Sequence, residues 1–139
     1  MFRQPAPGWQ AYRRQFPVIV SILARQATIF LVMTMNGGTT NHDVLIRFGA
    51  KVNALIDEGQ WWRLVTPIFI HIGLMHLFFN SFALYIFGPT AEWLFGRLRF
   101  ALFYLLTGFG GNVASYLFNP LAISAGASGA IYGLFGMYV

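Results

Sequence analysis

Residues 76–95 read HLFFNSFALYIFGPTAEWLF, a segment dominated by aromatic and aliphatic side chains. An α-helix rises 1.5 Å per residue, so a helix of about 20 residues crosses the roughly 30 Å hydrocarbon core of a bilayer. Residues 16–35 and 100–118 are similarly long and apolar. The sequence therefore predicts membrane-spanning helices at about 16–35, 76–95 and 100–118.

The composition of the whole chain also favours a membrane protein. Hydrophobic residues make up 57% of the 139 residues and charged residues 9%, whereas soluble proteins carry about 25% charged residues. The chain has no cysteine, which excludes disulfides, cysteine-ligated metals and a thiol nucleophile within it. The net charge of +5 comes from scattered basic residues and forms no basic stripe, so we expect no nucleic-acid partner.

The remaining segments are more polar or shorter. Residues 1–15 are basic and proline-containing and are expected to form a mobile arm. Residues 36–75 form a long connection whose tryptophans and apolar runs predict short pieces in the membrane interface. Residues 127–139 begin a fourth helix that spans only about 20 Å. We therefore expect an all-α polytopic helical bundle, truncated within its fourth transmembrane helix, with an incomplete membrane domain over residues 16–139.

The distribution of basic residues predicts the orientation of the bundle. Residues 1–15 carry three arginines and residues 96–99 carry two, with no acidic residue in either segment. The long connection has as many acidic as basic residues, and residues 119–126 carry no charge. The positive-inside rule then places the amino terminus in the cytoplasm and the long connection outside. We expect a multi-pass integral membrane protein, either of a bacterial cell membrane with the basic arm as a cytoplasmic anchor, or of an organelle if the arm is part of an import signal.

Residues 126–130, GASGA, stand at a loop-to-helix junction and contain the best candidate nucleophile. A serine hydroxyl needs a base to remove its proton and donors to stabilise the resulting oxyanion. Ser128 would lie where the first turn of a helix leaves backbone N–H groups unpaired. Gly126 and Gly129 would let a substrate backbone approach closely. A second interpretation stays open, because Gly129 also begins a row of small residues typical of a tightly packed membrane helix.

His76 and Asn80 are the second candidate pair. They are four residues apart and therefore share one helix face. An imidazole N–H and an amide NH2 directed at one point are suitable oxyanion donors, although hydrogen bonding between membrane helices would explain them as well. His71 and His76 lack a nearby cysteine or carboxylate, which makes them a poor set of metal ligands. We expect neither a metal nor another cofactor.

Three further features have structural interpretations. Trp62 and Arg63 are expected to hydrogen-bond the long connection or to anchor it in the interface. Glu92 and Arg97 flank one helix end, where a salt bridge or a cap is a simpler role than catalysis. Tyr132 follows the candidate serine by one helical turn, so it either packs in the core or stacks on a catalytic imidazole.

Four stretches occur together in a fixed order along the chain: residues 59–64 (GQWWRL), 71–80 (HIGLMHLFFN), 92–96 (EWLFG) and 126–129 (GASG). In order and spacing they resemble the rhomboid family of intramembrane serine proteases, over about residues 36–139. The tryptophan-arginine, His-x4-His-x3-Asn and Gly-x-Ser-Gly signatures together are far more specific than a lone Gly-x-Ser-Gly.

The resemblance implies a six-helix core with a water-filled cavity open to the outside. It implies an endopeptidase that cleaves transmembrane segments of membrane-protein substrates near the outer face by acyl transfer. Ser128 would be the nucleophile, and His76 and Asn80, with the Ser128 backbone N–H, would form the oxyanion site. Tyr132 matches the position that stacks on the general base. The long connection resembles the family's membrane-inserted first loop, held by the tryptophan-arginine pair.

The chain departs from the family pattern in one respect. The family's general base is a histidine on the sixth helix, and no histidine follows Ser128 here. We therefore expect residues 1–139 alone to be inactive. One competing hypothesis is a rhomboid-like pseudoenzyme that binds membrane clients without cleavage. Another is a small transporter or channel subunit, but that class needs paired ionisable groups at mid-membrane, where only Arg25 stands. The motifs specify no oligomeric state.

Overall fold

The computed structural model describes residues 8–139, which form α-helices joined by loops and short 3-10 helices. The α-helices are α1 (Trp9–Gln15), α2 (Pro17–Met35), α3 (His42–Phe48), α4 (Asn53–Asp57), α5 (Leu74–Phe95), α6 (Arg97–Phe118) and α7 (Ser128–Gly136). Two 3-10 helices, Trp61–Leu64 and Thr66–Phe69, lie between α4 and α5. The predicted all-α architecture is confirmed, and extended pairing over residues 8–139 is limited to one isolated bridge between Lys51 and Ser124.

Two of the helices, α2 and α6, are long and apolar enough to cross a membrane. Helix α5 is as long as α6, with 22 residues, but it does not pass the same test. His76 and Asn80 near its beginning lower its average hydropathy. These two polar residues belong to the candidate site described below.

The helix boundaries differ from the predicted ones by a few residues. Helix α5 begins at Leu74 and α6 at Arg97, each immediately after a glycine with positive φ, Gly73 (80°) and Gly96 (83°). These backbone conformations favour glycine. Each helix therefore begins directly after its glycine, two to three residues before the predicted start. The predicted fourth helix over residues 127–139 is the shorter α7.

The expected mobile arm is helical over its described part. Residues 1–7 lie outside the described residues, while Trp9–Gln15 forms α1. The ring of Tyr12 is buried and stacks on Tyr85 with 4.6 Å between centroids. Its hydroxyl donates to the Tyr85 carbonyl at 2.9 Å. Helix α1 is therefore fixed against α5 by one aromatic residue, which the basic composition of the segment does not suggest.

Hydrogen bonds from the end of α5 and the start of α6 hold the first turn of α2 and the last turn of α1 at one end of the bundle. The carboxylate of Glu92, near the end of α5, accepts the backbone N–H groups of Val18 and Ile19 at 3.1 Å each. These groups belong to the first turn of α2, which has no intrahelical acceptors for them. Arg97, at the start of α6, donates to the Arg14 carbonyl at 3.1 Å. The predicted roles for Glu92 were a helix cap or a salt bridge with Arg97. It is a cap, and the helix that it caps is α2.

Helix α7 packs most extensively on α6. A Cβ atom added at Gly129 would lie 3.2 Å from the Cα of Gly111, and one added at Gly133 would collide with the Thr107 side chain. Small residues that allow two backbones to touch are a common means of joining helices in membranes. The packing interpretation of these glycines therefore holds, and it fixes the first turn of α7 against α6.

The long connection is held together by Arg63. This residue is 7% exposed. Its guanidinium donates to the carbonyls of Ile46 at 2.7 Å and Ala50 at 3.0 Å, and to the Gln60 side chain at 2.6 Å. Trp62 is 44% exposed and packs edge-on against Trp61. Of the two residues, Arg63 organises the loop by hydrogen bonding and Trp62 presents its ring to the surroundings.

Candidate active site

Ser128 is the first residue of α7. The first intrahelical bond of α7 runs from the Ile131 N–H to the Ala127 carbonyl, at 2.9 Å. The N–H groups of Ser128, Gly129 and Ala130 precede that bond and have no acceptor within the helix. The positive end of the helix dipole is directed at the same place. The serine hydroxyl therefore lies where a negative oxygen would be stabilised.

His76 lies in the first turns of α5, opposite Ser128. Its Nε2 atom is 3.5 Å from the Ser128 Oγ. Its Nδ1 atom accepts the backbone N–H of Ile72 at 3.4 Å. A nitrogen that accepts a hydrogen bond carries no proton, so we assign the neutral ring the tautomer protonated on Nε2. That N–H points toward the serine oxygen, which is the arrangement of a donor and not of a general base.

Asn80 lies one turn further along α5 and is 8% exposed. Its Nδ2 donates to the His76 carbonyl at 2.9 Å, which uses one of its two amide hydrogens. His76 therefore faces Ser128 directly, whereas the Asn80 amide is hydrogen-bonded to its own helix beside the site.

A cavity of about 310 Å³ joins these groups. The predicted site residues of α5 and α7 and several apolar side chains line this cavity. The lining residues are His76, Phe79, Asn80, Ala83, Ser128, Ile131, Tyr132 and Phe135. Tyr132 is 76% exposed, so it borders the cavity and is not packed in the core. Two other clefts lie beside Arg25 and contain none of the candidate groups.

Gly126, two residues before Ser128, lies against the His76 ring. Its φ of 112° is in the region that favours glycine, and a Cβ atom there would lie 2.6 Å from the His76 Nε2. Its N–H donates to the Pro67 carbonyl at 2.7 Å. Gly126 and Gly129 were expected to make room for a substrate. The contacts give different reasons: Gly126 makes room for the imidazole, and Gly129 for the backbone of α6.

Comparison with known proteins identifies the family of the chain. Residues 58–139 match the family model described as the Rhomboid domain. The chain belongs to the rhomboid family. The matched region contains every residue named in the candidate site, and the helices of this rhomboid are those of an integral membrane fold.

Several relatives of this rhomboid are known. Rhomboid protease GluP of Bacillus subtilis (strain 168) is 50% identical over 114 residues, which cover 82% of this chain and 22% of GluP. The putative rhomboid protease YdcA of the same strain is 40% identical over 135 residues, covering 95% of this chain and 66% of YdcA. RHOMBOID-like protein 6, mitochondrial, of Arabidopsis thaliana is 45% identical over 82 residues, covering 59% of this chain and 27% of that protein.

His71 is a further buried group at the rhomboid site. It is 1% exposed, and neither ring nitrogen has a hydrogen-bond partner among the described residues. Its ring meets the His76 ring edge to face, with 5.2 Å between centroids. Burial and the neighbouring charge of His76 lower the pKa of His71 to about 4. The ring is therefore neutral near pH 7 and supports His76 as an uncharged packing partner. Over residues 8–139 no group of three histidine, aspartate or glutamate side chains is placed to hold a metal.

Two buried polar residues were missed in the analysis of the sequence. Gln26, in the middle of α2, donates to the Ser81 hydroxyl at 2.6 Å and so joins α2 to α5. Lys51, within the long connection, is completely buried. A polar residue inside an apolar run is a usable signal for Gln26. Lys51 gave none, because it stands in a loop where a basic residue is ordinary.

Proposed function

We propose that this rhomboid is a serine-type intramembrane endopeptidase with Ser128 as its nucleophile. The observation that carries the proposal is the donor arrangement around the Ser128 Oγ. The His76 Nε2 atom, the donor in the assigned tautomer, lies 3.5 Å away, and the unpaired N–H groups of the α7 first turn lie beside it. A developing oxyanion requires such preorganised donors. The names of GluP, a rhomboid protease, and YdcA, a putative one, support the same activity.

The proposed reaction is acyl transfer. The Ser128 Oγ attacks a peptide carbonyl, its proton passes to a general base, and the carbonyl oxygen becomes an oxyanion. The His76 Nε2–H and the Ser128 N–H bind that oxyanion, and Asn80 has one amide hydrogen left for it. Collapse of the tetrahedral intermediate releases the amine, which takes the proton from the base, and water then hydrolyses the acyl ester. Each oxyanion donor is worth about 3 kcal/mol of the barrier.

The general base is the part of the reaction that these 139 residues do not supply. His76 is a donor in the assigned tautomer, His71 is buried beside it, and His42 lies at the start of α3. We therefore propose that the base is a histidine from a later helix, as the family resemblance implies, and that residues 1–139 alone do not hydrolyse peptides. The chain spans 22% of GluP and 66% of YdcA, so relatives have room for further helices.

We propose transmembrane segments of other proteins as substrates. The cavity is lined mostly by apolar side chains from α5 and α7, and a chain that unwinds near one end of the membrane could present its carbonyl there. Arg13 and Arg14 in the last turn of α1 lie with Arg97 and Arg99 at the start of α6 at the opposite end, where Arg97 donates to the Arg14 carbonyl. By the positive-inside rule that end faces the cytoplasm, and the similarity to GluP and YdcA favours a bacterial membrane.

Fluorophosphonate labelling and cleavage of a transmembrane reporter test this function. Two chains are compared: residues 1–139, and the same chain extended by the later helices of its rhomboid domain, called the extended chain below. We expect labelling and cleavage by the extended chain only, abolished by Ser128→Ala and unaffected by Ser21→Ala, which changes an exposed serine on α2.

Three outcomes would contradict parts of the proposal. Cleavage at the unsubstituted rate by Ser128→Ala would remove the nucleophile assignment. Labelling of residues 1–139 that depends on Ser128 would show that the base is already present. An extended chain that binds a transmembrane segment but neither labels nor cleaves would be a rhomboid-like pseudoenzyme.

A further inference from the structure

Lys51 is the sole lysine of the sequence, and its side chain is 0% exposed. Its Nζ donates to the carbonyls of Ser115 at 3.3 Å and Asn119 at 3.0 Å. These carbonyls belong to the last turn of α6 and to the residue that follows it. Both acceptors found in the described residues are thus main-chain groups at the negative end of a helix, where a cation is favoured.

Burial of this ammonium carries a cost. Desolvation lowers the pKa of Lys51, because the charged form has lost its water. The two carbonyls also accept backbone N–H groups, from Asn119 at 2.9 Å and Ala122 at 3.3 Å, so neither would be orphaned without the lysine. An apolar side chain of similar length would therefore fill this space at a smaller desolvation cost. The contribution of the ammonium is better sought in geometry than in stability.

The backbone of Lys51 is tied to the segment that leads to Ser128. The Lys51 N–H donates to the Ser124 carbonyl at 2.8 Å, and the Ser124 N–H donates to the Lys51 carbonyl at 3.1 Å. The Ser124 hydroxyl lies 2.9 Å from that of Ser115. One residue of the long connection therefore joins the end of α6 to residues 119–127 through both its main chain and its side chain.

We propose that Lys51 is a positioning residue that sets the location of Ser128 relative to His76. This inference rests on the proposed peptidase function. Residues 119–127 run from the Lys51 contact to the serine, and Gly126 within them touches the His76 ring. When the ammonium anchors the end of α6 and the start of this segment to the same loop, the segment enters α7 in one register. Without it, the segment can shift while the helices stay packed.

A shift of this kind would act on the reaction more than on the fold. The Ser128 Oγ and His76 Nε2 lie 3.5 Å apart, and misplacement of a catalytic group by about 1 Å can cost about 100-fold in rate. The cavity wall formed by α5 and the body of α7 does not include the Lys51 contact. Substrate binding should therefore change less than turnover.

The first experiment compares Lys51→Met with Asn53→Ala in the extended chain. Asn53 donates to the Tyr116 carbonyl at 2.8 Å, so it joins the same loop to the same helix, and its side chain makes no hydrogen bond to residues 119–127 in the described structure. For Lys51→Met we expect kcat to fall about 10- to 100-fold with KM changed less than about twofold. We expect Asn53→Ala to retain the kcat of the unsubstituted chain. Lys51→Arg can donate to both carbonyls, so its kcat should be higher than that of Lys51→Met. Equal losses in Lys51→Met and Asn53→Ala would overturn the proposal.

The second experiment does not depend on catalysis. The sequence has no cysteine, so Ala127→Cys introduces a single thiol at a position that is 1% exposed. In residues 1–139, Lys51→Met should raise the maleimide reaction rate of that thiol about tenfold, since the end of α6 loses its cation, while Asn53→Ala should not. An unchanged rate in Lys51→Met overturns the positioning role even if the protein is a peptidase. A raised rate in residues 1–139, together with an extended chain that shows no cleavage, would leave Lys51 as the anchor of the segment and refute the peptidase function instead.

Discussion

The Nε2 atom of His76 lies 3.5 Å from the Oγ of Ser128, although 52 positions separate the two residues in the sequence. The Ile72 N–H donates to the other ring nitrogen of His76, Nδ1, so the assigned tautomer carries its proton on Nε2. The histidine offers a proton to the serine oxygen and cannot accept one from it in this tautomer. Under the proposed function this pair is therefore a nucleophile with an oxyanion donor.

Replacement of His76 by alanine should lower kcat of the extended chain about 100-fold, the loss of about 3 kcal/mol expected for one oxyanion donor. Because the residue is a donor and not the base, the pH midpoint of kcat should not move. Cleavage kinetics between pH 5 and 9 measure both quantities. A displaced midpoint in His76→Ala would show that the histidine exchanges the reacting proton.

Gly126→Ala should disrupt the site by displacing the imidazole. The new Cβ would lie 2.6 Å from the His76 Nε2, at a φ of 112° that disfavours any side chain. We expect a loss of about 1–3 kcal/mol in the free energy of unfolding from backbone strain alone, together with loss of Ser128 labelling. Gly136→Ala is the matched control, since a Cβ there meets no atom within 4 Å. Comparable melting temperatures for the two variants would contradict the steric argument.

The stability of the chain should fall as the pH is lowered through the range set by His71. Its folded pKa of about 4 lies below the ordinary value of 6.5. Between these values the unfolded chain binds more protons, so stability is complete above pH 6.5 and decreases toward pH 4. The maximum loss is about 3 kcal/mol. Thermal unfolding in detergent at pH 7 and 4.5 measures it.

The controls for this pH dependence are two histidine substitutions. His71→Leu should flatten the dependence of the melting temperature on pH, because the titrating group is gone. His42→Leu, at an exposed position, should retain it. If both variants keep the full slope, the acid sensitivity arises from other groups.

Glu92→Gln should destabilise the chain by weakening the cap on α2. The carboxylate accepts two N–H groups at 3.1 Å, and a neutral amide offers one acceptor oxygen and no charge to the helix end. We expect a decrease of about 1–2 kcal/mol in the free energy of unfolding. Glu58→Gln, at an exposed site, supplies the comparison, and an equal decrease there would argue against a capping role.

Much of this architecture could be predicted because it depends on local properties of the sequence. Length and hydropathy located α2, α5 and α6 to within three residues. The meeting of His76 with Ser128 was accessible through the spacing of family motifs, not through periodicity. Other contacts between residues far apart in the sequence were not predicted. Glu92 caps a helix more than 70 positions earlier, and Lys51 binds carbonyls more than 60 positions later.

The glycine contact between α6 and α7 limits how these two helices can move relative to each other. A Cβ added at Gly111 would lie 3.1 Å from the Cα of Gly129, so the two backbones touch one residue beyond the nucleophile. Neither helix can rotate or slide there without separating from the other. If the proposed peptidase opens to admit a substrate, α6 and the serine end of α7 therefore move as one unit, and the cavity opens between that unit and α5.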